Sequence, residues 1–305
     1  MKTIFKQIAK ITTLFIGISI LISCQPDDNP TNNGLAIAAD ALNPSFVIDQ
    51  SNAATNTFKF IGNNTNVLAD IWDLGDGNNP KNGGNSYSAF IPDAGTYVIQ
   101  HKVVGRGGAS KTESQTLVVP TSNIAAGNLV QGGKFLNATD HAKWTILNIF
   151  GSHVNWTFGN GFANVSGSSP NQYAQQGIYQ SMQVIGGKKY KLDMKVVGSA
   201  CSNSWFEVFV GKKQPVQNND YGDAVDITNP EGVGIRLGIK TFDNCLMSSP
   251  FSGKLSDLKC AGKGSIVEFA TSGTVYLVIK SGGGFGVTSL GTGGVKVSNV
   301  ELRGI

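Results

Sequence analysis

The sequence predicts an all-β protein built as successive sandwiches, and three observations carry that prediction. Composition is the first: 14% charged residues and 39 glycines among 305, with no long apolar run at helical spacing. The second is a recurrent alternation of period two, the mark of a strand with one dry face and one wet face. Val233, Ile235, Leu237 and Ile239 alternate with Gly234, Arg236 and Gly238; Val275, Leu277 and Ile279 alternate with Tyr276, Val278 and Lys280. The third is the stretch Gln175–Val196. Ile178, Met182 and Val184 share one phase there, Tyr190, Leu192, Met194 and Val196 another, and Gly186-Gly187 stands between the two runs. Paired glycines supply the positive φ of a tight turn, so the stretch predicts a β-hairpin with one buried and one free face.

Length sets a prior of two domains, and a hydrophobic content of 40% is enough for two cores. Residues 1–23 carry Lys2, Lys6 and Lys10 ahead of an apolar run from Ile11 to Ile22. That run is short for a membrane span and fits a signal-peptide core. Removing its three lysines takes the formal charge from +4 to +1. A near-neutral mature chain carries no electrostatic footprint for nucleic acid.

The end of this segment, Leu21-Ile22-Ser23-Cys24, resembles the bacterial lipobox. The resemblance implies cleavage before Cys24 and lipid attachment to its sulfur, and several acyl chains on one residue hold a protein firmly to a membrane. Residues 24–34 are polar and proline-containing, the composition of a tether. Asp27-Asp28 close behind the cysteine resembles the signal that sends Bacteroidota lipoproteins to the outer face of the outer membrane.

Residues 35–120 form the first domain, with strands expected at Ser45–Ile48, Thr57–Ile61, Val67–Leu74, Thr96–Val104 and Thr112–Val119. Ile71-Trp72-Asp73-Leu74-Gly75-Asp76-Gly77, followed by Ala94-Gly95-Thr96-Tyr97-Val98-Ile99, resembles the polycystic-kidney-disease (PKD) domain, with Leu74 where phenylalanine is usual. The resemblance implies an immunoglobulin-like sandwich acting as a spacer. Trp72 is the large residue such a core needs, and Asp73 and Asp76 are expected to cap their own turn rather than hold a metal.

After the linker 121–127, residues 126–305 are expected to form the second domain. Further strands are expected at Trp205–Val210, Val233–Lys240, Ser265–Ala270, Thr274–Lys280 and Val295–Leu302. Asn128-Leu129-Val130-Gln131-Gly132-Gly133-Lys134-Phe135 with Trp144, then Gln180-Ser181-Met182-Gln183-Val184 with Gly187-Lys188-Lys189-Tyr190-Lys191-Leu192, and finally Val297-Ser298-Asn299-Val300-Glu301-Leu302, resemble in that order carbohydrate-binding modules of the family 4 and 22 type. The fold implied is a jelly-roll β-sandwich. Such modules often carry a structural calcium, but Ser298 and Gly133-Lys134 replace the usual acidic residues, and a hard cation needs several oxygens. No cofactor is expected; only a calcium site built on backbone carbonyls is compatible with these residues.

Cys201, Cys245 and Cys260 remain once Cys24 is set aside, with no spacing suited to zinc. An exported location permits disulfides, and Cys245–Cys260 is the expected pair, closing a loop that holds Pro250 and Gly253; Cys201 is then free or replaces one partner. No G-x-S-x-G, H-E-x-x-H or phosphate-binding glycine loop is present, and Glu207 and Glu268 lack the neighbouring glutamate of a retaining glucanase. An enzyme is not expected.

What remains is aromatic residues on a sheet face. A flat ring covers the apolar face of a sugar while amides and carboxylates take its hydroxyl rim. Tyr179 and Gln183 lie on the free phase of the expected hairpin, and Trp205 shares a phase with Glu207 and Phe209, opposite Phe206, Val208 and Val210. Trp156 and Tyr173, with Asn171 nearby, fall in an Asn/Gly/Ser-rich region where loops are expected. These five, Trp156, Tyr173, Tyr179, Gln183 and Trp205, are the candidate carbohydrate contacts. The combined resemblance is to surface glycan-binding lipoproteins that capture polysaccharide for a SusC/SusD-type importer, and it leans toward laminarin, a β-1,3-glucan. A structural or adhesive surface protein and a divergent glycoside hydrolase are the alternatives.

Overall fold

Alternating apolar residues become paired strands almost throughout. A computed structural model describes residues 41–170, 172–222, 237–240, 249–258, 261–262, 264–284 and 287–305, and the fold is all-β. Asn171, Cys24, Cys245 and Cys260 lie outside the described residues.

The first seven strands are β1 (Phe46–Asp49), β2 (Thr57–Gly62), β3 (Ala69–Asp73), β4 (Lys81–Asn82), β5 (Ser86–Phe90), β6 (Gly95–Val104) and β7 (Ser110–Val119). They make a three-stranded sheet, β1-β2-β5, and a four-stranded sheet, β4-β3-β6-β7. Trp72 is fully buried, its indole stacked on the His101 ring at 3.9 Å and met edge-on by Phe46 at 5.3 Å. Its indole N–H donates to the Gly84 carbonyl at 2.9 Å, so the largest core residue leaves no polar atom unpaired. Asp73 accepts from the Gly75 amide and Asp76 from the Asn78 amide, the turn-capping role expected of both.

Two compact units result among the described residues: those up to Asp49, with Lys59–Tyr87 and Val98–Thr116, in one, and Gln50–Phe58, Ser88–Tyr97 and those from Leu117 onward in the other. The sequence places all of 35–120 in the first domain, whereas 50–58 and 88–97 group with the second unit. Hydrogen bonds within that unit explain the grouping. Asn56 donates to the Thr121 carbonyl, Asn123 to the Pro92 carbonyl, and Asp93 binds both the Asn128 amide and the Arg303 guanidinium.

The remaining strands are β8 (Thr145–Phe150), β9 (Val154–Gly159), β10 (Phe162–Pro170), β11 (Ala174–Val184), β12 (Lys189–Gly198), β13 (Ser204–Gly211), β14 (Leu237–Lys240), β15 (Phe251–Lys254), β16 (Ala261–Gly262), β17 (Ile266–Glu268), β18 (Gly273–Gly283), β19 (Val287–Ser289) and β20 (Val295–Gly304). One sheet runs β15-β12-β20-β10-β19, with β17 also on β12 and β9 also on β10; the other runs β16-β14-β13-β18-β11-β8. Phe135, Tyr190, Leu192, Phe206, Leu277 and Val297 belong to the core these two sheets share, as expected of a sandwich.

The expected hairpin is corrected by this topology. β11 pairs with β8 and β18, and β12 pairs with β15, β17 and β20, so the two runs belong to opposite sheets. Gly186-Gly187 is an arch between layers, with Gly187 at φ +71°. Periodicity reports which face of a strand is dry, and both phases were read correctly: Ile178, Met182 and Val184, and Tyr190, Leu192, Met194 and Val196, are all buried. It says nothing about which strand lies alongside.

The opening motif closes the sandwich. The Asn128 side chain accepts from the Val130 and Leu302 amides, each at 3.0 Å, and donates to the Val300 carbonyl at 3.4 Å. Trp144 donates to the Gly132 carbonyl and is core. Cys201 is a free, buried thiol that burial pushes up to about 11.

Candidate functional site: the outer face of the six-stranded sheet

Antiparallel registry lays side chains out in rows across a sheet, alternate rows facing opposite ways. On the face turned away from the core, one row is Leu147, Gly177, Lys280 and Glu207, and the next is Thr145, Tyr179, Val278 and Phe209. On one side lies a row of Phe150, Gln175, Gly282 and Trp205; on the other lie Ser181 and Tyr276, then Gln183 and Thr274.

The middle of this face is dry. Leu147, Ile149, Phe209, Val278 and Tyr221 form a second apolar cluster, with Tyr179 and Tyr276 packed on its edge. Residues 212–222 supply the cover. Gln217 accepts from the Asn148 amide and donates to the Ile146 carbonyl, and the Asn218 amide donates to the Asn148 carbonyl, so the segment docks on the free edge of β8. Tyr221 then sets its ring edge-on to Phe209 at 6.1 Å and donates its hydroxyl to the Lys213 carbonyl.

An ion triad fastens the same segment to the floor. The Lys280 ammonium is 2% exposed, 3.2 Å from Glu207 Oε2 and 2.5 Å from Asp220 Oδ1, and lies 5.3 Å from the centre of the Phe209 ring. A buried ammonium needs such partners, because desolvation otherwise expels its charge.

Of the five expected contacts, the structure brings two together. Tyr173, 44% exposed just before β11, sets its ring 6.1 Å from that of Trp205 at 49°. Between Gln175 and Trp205 stands Gly282, whose missing side chain leaves the floor flat; a Cβ there would lie 2.4 Å from the Ala174 carbonyl oxygen. Trp205 has the expected phase but not the expected exposure: all eight residues of β13 are buried, and Trp205 is 8% exposed. Tyr179 and Gln183 occupy the same face but stand four and eight residues along β11 from Gln175, roughly 14 and 27 Å. Tyr179 is half-buried with its ring 6.5 Å from Tyr276, and Gln183 donates to Thr274 at 2.8 Å.

Trp156 is a correction. It lies on β9, not in a loop, and is 5% exposed in the sandwich core. Its amide and indole N–H donate to the Gln176 side chain and carbonyl at 2.5 and 2.9 Å. Val154, Trp156 and Phe158 alternate with polar residues ahead of Asn160-Gly161, a strong hairpin dipeptide, and that signal was readable through the glycine-rich composition. Gln175, Glu207, Asp220 and Lys280 are the members that sequence reasoning did not assemble. A lone Glu and a lone Lys in the middle of apolar strands is the pattern that points to a buried pair.

No family model matches the chain, and no curated protein does either. Solved structures similar to it include carbohydrate-binding modules of the β-sandwich superfamily described for promiscuous specificity (11% identity, TM-score 0.30, covering 85% of this chain and 96% of that one). Another is TmCBM27, described for specific mannan recognition (14% identity, TM-score 0.31, 56% and 94%). A third is the enzymatically active domain of bacteriophage CBA120 tailspike protein 4 (13% identity, TM-score 0.34, 62% and 23%).

Proposed function

We propose that this chain is a non-catalytic, polysaccharide-binding lipoprotein of the cell surface, anchored to the outer membrane through Cys24 and capturing a β-glucan of the laminarin type for a SusC/SusD-type importer. The observation that carries the reading is the Tyr173–Trp205 pair on a flat floor, with the Gln175 amide in the same row as Trp205. Rings for the sugar face and polar groups for its rim stand together on a rigid sheet, which is what glycan recognition requires. A non-catalytic role agrees with the state of the two carboxylates here: Glu207 and Asp220 both hold Lys280, so neither stands free as an acid or base.

Affinity electrophoresis against laminarin, xylan and mixed-linkage glucan tests the reading. Retardation by laminarin is expected, with no shortening of the polysaccharide. Tyr173→Ala is expected to weaken binding about 30-fold, the effect of losing an aromatic hot spot, with the melting temperature nearly unchanged because that ring is half in solvent. No retardation by any of the three glycans would point to an adhesive or structural role. Chain shortening would point to a hydrolase.

A further inference from the structure

We propose that a cavity on the outer face of the seven-stranded sheet is a second binding site, which takes a sugar-sized acid and holds its oxyanion between Lys195 and Lys254. The site is on the sheet opposite the one that carries Trp205, and it stands or falls separately from the glycan-binding reading above. The cavity measures about 370 Å³, the size of a small-molecule pocket, and Asp193, Lys195, Lys254, Asn299 and Glu301 line it.

Strand registry builds the site. Lys195 and Lys254 are directly opposite each other on β12 and β15, so both side chains leave the same face. On the other side of β12 the register with β20 slips: Asp193 faces Glu301, but Lys195 faces Ser298, which sets Asn299 and Val300 against Met194. This bulge puts Asn299 at φ +50°, a conformation asparagine tolerates, and brings it to the cavity wall.

The carboxylates of the cavity already have partners, and the ammoniums do not. Asp193 is 5% exposed and accepts from the Ser256 hydroxyl at 2.8 Å and the Met194 amide at 2.9 Å. Glu301 lies 3.5 Å from the Arg303 guanidinium. Lys195 and Lys254 are exposed, and among the described residues neither makes a hydrogen bond or an ion pair, although Asp193 and Glu301 share the cavity with them. Like charges directly opposite on neighbouring strands cost stability. The other charges nearby leave that pair as it is: Lys191 faces Arg303, Lys296 sits over the Phe162 ring at 4.5 Å, and Asp257 follows Ser256 on the short helix Leu255–Leu258. A bound oxyanion supplies the missing counter-charge. Two lysines whose Cβ atoms stand about 5 Å apart reach the oxygens of one carboxylate or sulfate together. The Asn299 amide and the carboxylate oxygens of Asp193 and Glu301 are then at hand for hydroxyl groups, so a polyhydroxylated acid suits the cavity better than a bare anion.

The test is a proton–nitrogen NMR titration of the full chain with glucuronate and with a sulfate ester of glucose, glucose itself being the neutral control. Saturable shifts of the Lys195, Lys254 and Asn299 amides are expected with at least one of the acids, and none with glucose. Response to both acids identifies the oxyanion itself as the recognised group; response to one alone identifies carboxylate or sulfate as its source. Lys195→Gln and Lys254→Gln are each expected to weaken this binding about tenfold, the effect of losing one charge-assisted hydrogen bond. The melting temperature without ligand should stay the same or rise slightly, because either change relieves the like-charge pair. Localised shifts on the unaltered chain keep the test valid should a variant be unstable. No shift at these amides with either acid would overturn the proposal. So would equal binding of glucose, or undiminished binding in both variants.

Discussion

Trp205 and Trp156 show how far one residue's environment can be read from its neighbours in sequence. The alternation around Trp205 gave its face correctly, since Phe206, Val208 and Val210 are core and Trp205 points the other way. Its burial was not legible, because exposure on a sheet face depends on what other segments lay over it, and such cover carries no period. Tyr173 is one such neighbour, thirty-two positions away, and nothing in the local pattern of either residue announces their contact. For Trp156 the composition misled: Asn, Gly and Ser suggested loops, while the alternation Val154-x-Trp156-x-Phe158 was that of a strand. Trp156→Ala is accordingly expected to cost about 3–5 kcal/mol, the range for truncating a buried indole, and to orphan the Gln176 carbonyl that its N–H satisfies. Urea unfolding monitored by circular dichroism measures it. A loss below about 1 kcal/mol would contradict the core placement.

Among elements, the strands were the legible part and their partners were not. Expected spans such as 57–61, 205–210 and 274–280 agree with observed strands to within a few residues, because a half-buried strand imprints its period on the sequence. Whether two consecutive runs pair or pass to opposite layers leaves no such imprint, and the stretch through Gly186-Gly187 was misread for that reason. The segment 212–222 had no strand pattern, so its role as a cover was invisible. Its docking on β8 rests largely on one side chain, Gln217, which makes two hydrogen bonds at 2.9 Å to the Asn148 amide and the Ile146 carbonyl. Gln217→Ala is expected to cost about 1–2 kcal/mol, these being two ordinary hydrogen bonds. The loss should be local: hydrogen exchange at the Asn148 amide should accelerate, while amides of β12 and β20 in the opposite sheet remain protected. Uniform acceleration in both sheets would show instead that the segment is integral to the whole sandwich.

At the scale of the whole molecule, the second unit is fastened by a polar knot as well as by its core. Arg303 grips Asp93 with two hydrogen bonds, at 2.8 and 2.9 Å, and the Asn128 amide donates to the same carboxylate. Burial pushes the Asp93 carboxyl up, but Arg303 and the Asn128 amide outweigh it and hold the group below its ordinary value. A depressed carboxylate contributes stability that is fully present above its unfolded pKa and is lost as pH falls through the lower folded value. The contribution should therefore be complete at neutral pH and begin to fall away below about pH 4, being lost as pH drops through the lower folded value. Both side chains are about one-third exposed, so solvent screening limits the pair to about 1 kcal/mol. Arg303→Met should lower stability by that amount at pH 7 and make the decline between pH 4 and pH 2 shallower, as followed by thermal melts across that range; an unchanged acid limb would dissociate Asp93 from it. The arch at Gly186-Gly187 carries a different consequence, one of kinetics. Both halves of the second unit, before and after the arch, contribute strands to both sheets, and β10 must find β20 more than a hundred residues away. Neither layer can be finished from local chain alone. Newly made protein can pair β9 with β10 and β8 with β11 early, but each sheet keeps an open edge until strands from beyond the arch arrive, so refolding belongs in the millisecond-to-second regime of long-range β topologies.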